Sequence, residues 1–384
     1  MQNTKVKLIA GLLGLYLVAV GISYAVFSYV VKPAQKSVTP QNVAQTRSKI
    51  DPSAPKDQEC PINGKKFTTA ERDIWEKRRP LTVMIENHQD SRPQSGLSSA
   101  DVVYEAVAEG GITRFMGVFY CGVASEEVQI GPVRSARTYF LDFASEYGDH
   151  PLYAHVGGAN KPGPADALGQ INTYGWFLYN DLNQFSIGFP TYWRDYERLG
   201  RTVATEHTMY STTDKLLAVA AGRGLSTQDK NGTAWNKGYV PWKFTDGQPS
   251  TSAIVTKISF PFWGGYQDYN VGWTYDPATN TYKRESGGQP HLDMNNNQQL
   301  STSNVVVQFT TLKGPIDELK HILYTTTGTG RALVFQNGNV TQATWSKKTR
   351  TDRTMFLDKT GKQITFVRGP IWIEVSDPTI KVTY

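Results

Sequence analysis

The distribution of apolar and polar positions divides the chain into four stretches. Leu8 to Val31 is an apolar run without a charged side chain, bounded by Lys5 and Lys7 before it and Lys32 after it. About 20 apolar residues suffice to cross a bilayer, so a transmembrane helix is expected over 8–31, with residues 1–7 as a cytoplasmic tail. A cleaved signal peptide has a shorter apolar core, roughly 7–15 residues, and ends in small residues. Ser28-Tyr-Val-Val31 does not match that ending, and no cysteine near the run offers a site for a lipid. Over 32–58, Pro, Gln, Ser, Thr, Lys and Ala prevail without apolar periodicity. That composition predicts a flexible stalk, with folded sequence from Cys60 onward.

Over 60–235, apolar runs suited to buried strands (Leu81–Glu86, Ile112–Tyr120, Leu152–Ala154) alternate with helical patterns. Phe140, Phe143, Ala144 and Tyr147 share one face of a helix expected over 135–147. Ser98 followed by Asp101, with Gly110-Gly111 as a stop, predicts a helix over 100–109; the β-branched pair Val102-Val103 favours a strand there instead. This is the pattern of an α/β or α+β domain. Over 240–384 the pattern becomes that of a mostly antiparallel β domain. Short β-rich runs, among them Ile254–Phe260, Asn304–Phe309, Val340–Trp345 and Ile371–Val375, are separated by Gly, Asn, Asp and Pro. Hairpin connections are expected at Tyr275–Tyr282 and Phe335–Asn339, and one helix over 316–323.

Composition narrows the function. Hydrophobic residues at 39% and aromatics at 12% are enough for sizeable cores. The net charge of +6 falls to +4 without Lys5 and Lys7, which is too little to imply nucleic-acid binding. The expected partners are the membrane, through 8–31, and a cell-wall polymer or other anionic ligand. Cys60 and Cys121 are the two cysteines; they fit one disulfide, which persists in an oxidising compartment, or two separate buried thiols. With few residues before the span, the folded part is expected outside the cytoplasm.

No nucleophile elbow, zinc-protease, Walker or dinucleotide fingerprint occurs; that argues against a familiar hydrolase or nucleotide enzyme and leaves an unfamiliar activity open, with no catalytic residue assigned and no cofactor or metal expected. Gly131-Pro-Val-Arg-Ser-Ala-Arg137 leads into the helix over 135–147, so Arg134 and Arg137 stand at the positive end of its dipole. Their charge is met either by an internal carboxylate, Glu105 or Glu109, or by a bound phosphate or carboxylate. If 100–109 were helical, Glu105 and Glu109 would lie one turn apart, with Arg114 relieving their repulsion. Asn87 and Arg92 follow one predicted strand and His155 ends another, positions where α/β folds hold ligands. Gly157-Gly158 would admit a ligand close to the backbone there. His207, His291, Asp293 and Lys347 are further polar positions of interest.

Met84-Ile-Glu-Asn87, Arg92-Pro-Gln-Ser-Gly-Leu97, Glu109-Gly-Gly-Ile-Thr-Arg114, Gly131–Arg137 and His155-Val-Gly-Gly158 resemble the signature blocks of the YerB-like lipoprotein family. Trp273-Thr-Tyr275, Arg284, His291, Asp293 and Trp345-Ser-Lys347 resemble its C-terminal part, so the likeness covers about residues 60–378. It implies a two-part extracytoplasmic protein of bacterial envelopes with no assigned activity, here with a transmembrane span where relatives carry a lipid-bearing cysteine. Two functions follow as expectations. The first is a membrane-anchored envelope protein that binds an anionic ligand or cell-wall component. The second is a phosphotransferase or hydrolase acting on phosphorylated cell-wall precursors, similar in plan to the LytR-CpsA-Psr phosphotransferases. There Arg114, Arg134 and Arg137 would stabilise phosphoryl charge, while Glu105 or Glu109 would hold a metal or act as base.

Overall fold

The computed structural model describes residues 47–250 and 252–384, together with Val18; the described residues from 47 onward belong to one compact unit. Val18 apart, the expected span over 8–31, the tail before it and the stalk as far as residue 46 lie outside the described residues. Among the described residues no helix is long and apolar enough to cross a membrane.

In chain order the principal strands are β1 (Leu81–Glu86), β2 (Val102–Val107), β3 (Thr113–Phe119), β4 (Leu152–His155), β5 (Asp181–Asn183), β6 (Lys257–Phe260), β7 (Val271–Asp276), β8 (Thr281–Ser286), β9 (Asn304–Phe309), β10 (Gly328–Gln336), β11 (Asn339–Lys347), β12 (Met355–Leu357) and β13 (Ile371–Ser376). The main helices are α1 (Thr69–Trp75), α2 (Thr138–Ala144), α3 (Ala167–Thr173) and α4 (Thr213–Gly222).

Ten strands form one sheet in the order β12-β11-β10-β9-β13-β2-β3-β1-β4-β5. β13 lies between β9 and β2 and runs parallel to both. The sheet therefore draws on both 60–235 and 240–384, and the boundary expected near 235–240 does not divide it. Its central strands β2, β9 and β13 are buried at every position, which explains their near-continuous apolar sequences: both faces are covered. Successive residues on β2 face opposite ways. Tyr104 stacks on Phe143 of α2 with ring centroids 5.0 Å apart, while Glu105 meets β8 of a second sheet containing the run β6-β7-β8. That second sheet is seated by Trp273 edge-on to Trp372 of β13, 5.3 Å between centroids.

Several expectations are corrected. The segment 100–109 is a strand, because β2 pairs with β3 on one side and β13 on the other and tertiary pairing overrides the apparent cap signal. The helix over 135–147 shortens to α2, since Val133 and Ala136 form bridges to Ile85 and Gly158 and Arg137 is extended at the N-cap. No helix forms over 316–323: Lys320 adopts a positive φ of 60°, and the Asp317 carboxylate accepts the His321 amide in a turn. The stalk expected to reach residue 58 is held from Arg47 onward. Arg47 Nη1 lies 2.5 Å from Asp214 at the start of α4, and its Nε donates to the Ala124 carbonyl. Ile50 packs against the core and Gln58-Glu59 pair with Lys66-Phe67, contacts too few and too scattered to give the segment an apolar periodicity. The hairpins are where the pattern put them: β7 pairs with β8 and β10 with β11.

Candidate functional site

β1, β4 and β5 run parallel and adjacent, and beyond their carboxyl ends lies a cleft of about 560 Å³ lined by Arg134, Ser135, Gly157, Asn183, Arg194 and Glu206 among others. Its floor is laced by backbone hydrogen bonds: Arg134 N–H donates to Met84, Val156 to Arg134 and Ala136 to Gly157. The two glycines are required by this lacing. Gly157 has φ of 57°, and a Cβ on Gly158 would stand 3.1 Å from that of Ala136.

Three arginines converge here with different fates. The Glu109 carboxylate takes Arg137 in a two-point pair and lies 3.6 Å from Arg114. Burial would raise the Glu109 carboxyl, but the hydrogen bond from Arg137 and the charges of Arg114 and Arg137 outweigh it and hold it at about 2. Burial, followed by the neighbouring Arg137 charge, lowers Arg114 to about 10; Arg114 also donates to the Ser135 carbonyl. Arg134 differs. Its Nε is 2.9 Å from a Glu86 oxygen, yet the N–H is off-line and makes no hydrogen bond there. Its side chain is a quarter exposed and borders the cleft. Glu86 accepts instead from His207 Nδ1 at 2.8 Å, and that bond, against the opposing effect of burial, raises the imidazole.

The other candidates are structural in their contacts. Asn87 donates to Glu105 and Thr113 and accepts from Arg92 and Gln94. Arg92 reaches the Asp268 carbonyl and lies over the Tyr269 ring, tying the two sheets together. His155 is fully buried, with Nδ1 on the Gly157 carbonyl and Nε2 on Asp181, so its imidazole does not enter the cleft. Asp293 is spent on the amides of Gly96, Ser98 and Asn295. Glu105 is not paired with Glu109, since one ends up in a strand and the other in a turn. Cys60 and Cys121 are joined in a disulfide.

Two models describing a protein of unknown function (DUF3048), its N-terminal and C-terminal domains, match residues 67–226 and 258–373. The chain belongs to the DUF3048, or YerB-like, family. A Bacillus subtilis (strain 168) protein named "Putative lipoprotein YerB" is 27% identical over 336 residues, covering 84% of this chain and 88% of the relative. The crystal structure of the YerB protein from Bacillus subtilis superposes with a TM-score of 0.68 at 25% identity, covering 85% of this chain and all of that one.

In this DUF3048 protein two clusters of buried charge join expected positions, Glu105 and Lys347, to Arg284, Glu374, Glu146 and Arg353, which were not among the site candidates. Arg284 of β8 lies 2.5 Å from Glu105 of β2 and 3.3 Å from Glu374 of β13. Burial, then the Glu105 charge, pushes the Glu374 carboxyl well above its ordinary range, which favours its protonated form beside the Arg284–Glu105 pair. A second cluster joins Glu146 to Lys347 and Arg353. In sequence, Glu374 interrupts an apolar strand, which is the signal that marks a buried partner; nothing local names Arg284 as that partner.

Proposed function

We propose that this DUF3048 protein is a membrane-anchored, extracytoplasmic envelope protein that binds an anionic ligand, phosphate or carboxylate, in the cleft beyond β1, β4 and β5. The observation that carries this reading is Arg134. It is the one guanidinium of the three without a hydrogen bond among the described residues, and it faces the cleft with Arg194 across from it. Behind it, Arg114 and Arg137 share the single carboxylate of Glu109, so that group of three keeps a net positive charge. Placement at the carboxyl ends of parallel strands, where the sheet leaves a crevice, is the common ligand position of such folds. The disulfide suits an oxidising compartment, and the relative named as a lipoprotein supports a place at the membrane. A catalytic role finds no support in the expected carboxylates, because Glu105 and Glu109 neutralise Arg284 and Arg137.

The test is calorimetric titration of the full chain, in detergent, with inorganic phosphate, pyrophosphate and acetate. Binding is expected, and Arg134→Ala should weaken it roughly 10- to 100-fold, the range for a lost hydrogen bond to a charged group. Binding that survives Arg134→Ala unchanged, or no binding of any of the three, would overturn the reading.

A further inference from the structure

His88 follows β1 by two residues and caps a single 3-10 turn, Gln89–Ser91, that presents Asp90 beside it. A second turn of the same kind, Thr205–His207, brings His207 against this pair. The two imidazoles stack with centroids 4.8 Å apart and planes within 16°. One nitrogen of each ring and a carboxylate oxygen of Asp90 lie within 4.8 Å of one another. Two imidazoles and a carboxylate from two loops on a rigid strand end form a donor set suited to first-row transition metals.

Each donor is prepared differently. Glu86 fixes the Nδ1 side of His207 at 2.8 Å, which leaves Nε2 as the free lone pair; a carboxylate behind a ligating histidine is the usual outer support of such a site. His88 Nδ1 accepts the Asp90 amide at 3.2 Å, the long end of hydrogen bonds, and stands 3.6 Å from the Asp90 carboxylate. About a quarter of the His88 side chain and half of that of Asp90 are exposed, so both have room to swing toward an ion. His207 is nearly buried and supplies the fixed point. Two other clusters of ligating residues compare poorly. Cys60, Asp101 and Cys121 have their sulfurs locked in the disulfide. Asp149, His150 and Asp229 have Asp229 already accepting two backbone amides.

The geometry points to a divalent transition-metal site, of the zinc class, formed by His88, Asp90 and His207, with Glu86 as the positioning residue behind His207. Three protein ligands leave a coordination position open, and Glu206, next in sequence to His207, lines the cleft. An ion held here therefore stands beside the space that the anion reading fills. The metal site does not depend on that reading, and its test uses no anion.

The experiment is equilibrium dialysis of the full chain, without an affinity tag, against Zn²⁺ alone, followed by elemental analysis, and titration with Co²⁺ followed by its visible absorption. One equivalent of tightly held Zn²⁺ is expected, with Co²⁺ showing absorption bands of histidine-ligated ions. His88→Ala and Asp90→Ala, at partly exposed positions that leave the fold intact by circular dichroism, should abolish retention. Glu86→Gln should weaken it roughly 10- to 100-fold, and His150→Ala should leave it unchanged. Failure to retain Zn²⁺, retention unaffected by His88→Ala and Asp90→Ala, or loss of the ion in His150→Ala would each overturn the proposal.

Discussion

Glu109 serves two arginines from one short turn, and the direction of its shift fixes a pH dependence. Its carboxyl sits at about 2 in the folded chain against an ordinary 4.5. The folded state holds the charged form more tightly than the unfolded one, so the contribution is fully present above about 4.5 and is lost as pH falls toward about 2. With the side chain about a fifth exposed, that contribution is on the order of 2 kcal/mol. Urea unfolding should show the native chain ahead of Glu109→Gln by about that much at pH 7, with the gap nearly closed at pH 2.5; an equal gap at both pH values would rule the mechanism out. The sequence already offered Glu109 or Glu105 as an internal partner for the arginines, but only the strand at β2 decides between them. The strand turns Glu105 away, toward Arg284. His155 is buried on Gly157 and Asp181, and the glycines after it take part in the backbone lacing around Arg134.

At the scale of elements, β2, β8 and β13 are pinned together by Arg284 between Glu105 and Glu374, flanked by the faces of Trp273 and Trp372. Arg284→Met removes the cation paired with the fully buried Glu105 carboxylate, leaving it the neutral donors Asn87 and Thr113, and should cost about 3–5 kcal/mol. Adding Glu105→Gln should recover much of it, because the buried Glu105 carboxylate that Arg284 balanced is then gone as well. A urea midpoint for Arg284→Met equal to that of the native chain, or no recovery in the double variant, would show that the cluster is not what binds these strands. The strands themselves were legible because alternation and β-branched runs report burial on a sheet. Over 100–109 the cap signal and the β-branched pair pointed to a helix and a strand, and pairing decides for the strand; 316–323 was misread because short apolar spacing also occurs in turns that flank strands. That segment held too few buried apolar residues to enforce a helix.

For the whole molecule, the decisive fact is where β13 lies. Two regions that differ in composition and match separate family models share one sheet, and β13 supplies the strand that joins them. Composition changes near residue 240, but strand order is set by pairings such as β2 with β13, more than 200 residues apart, and leaves no local trace. Residues 60–235 expressed alone would leave one edge of β2 without its partner, an open edge prone to association. That fragment should therefore show no cooperative unfolding transition and should aggregate; a monomeric fragment with a sharp melting transition would contradict this. β13 also comes last of the ten strands to be synthesised, yet it occupies the middle of the sheet. Until residue 376 has emerged from whatever machinery makes or transports the chain, β2 and β9 have nothing to pair with between them. The native sheet is therefore completed only after nearly all of the length of the chain is free.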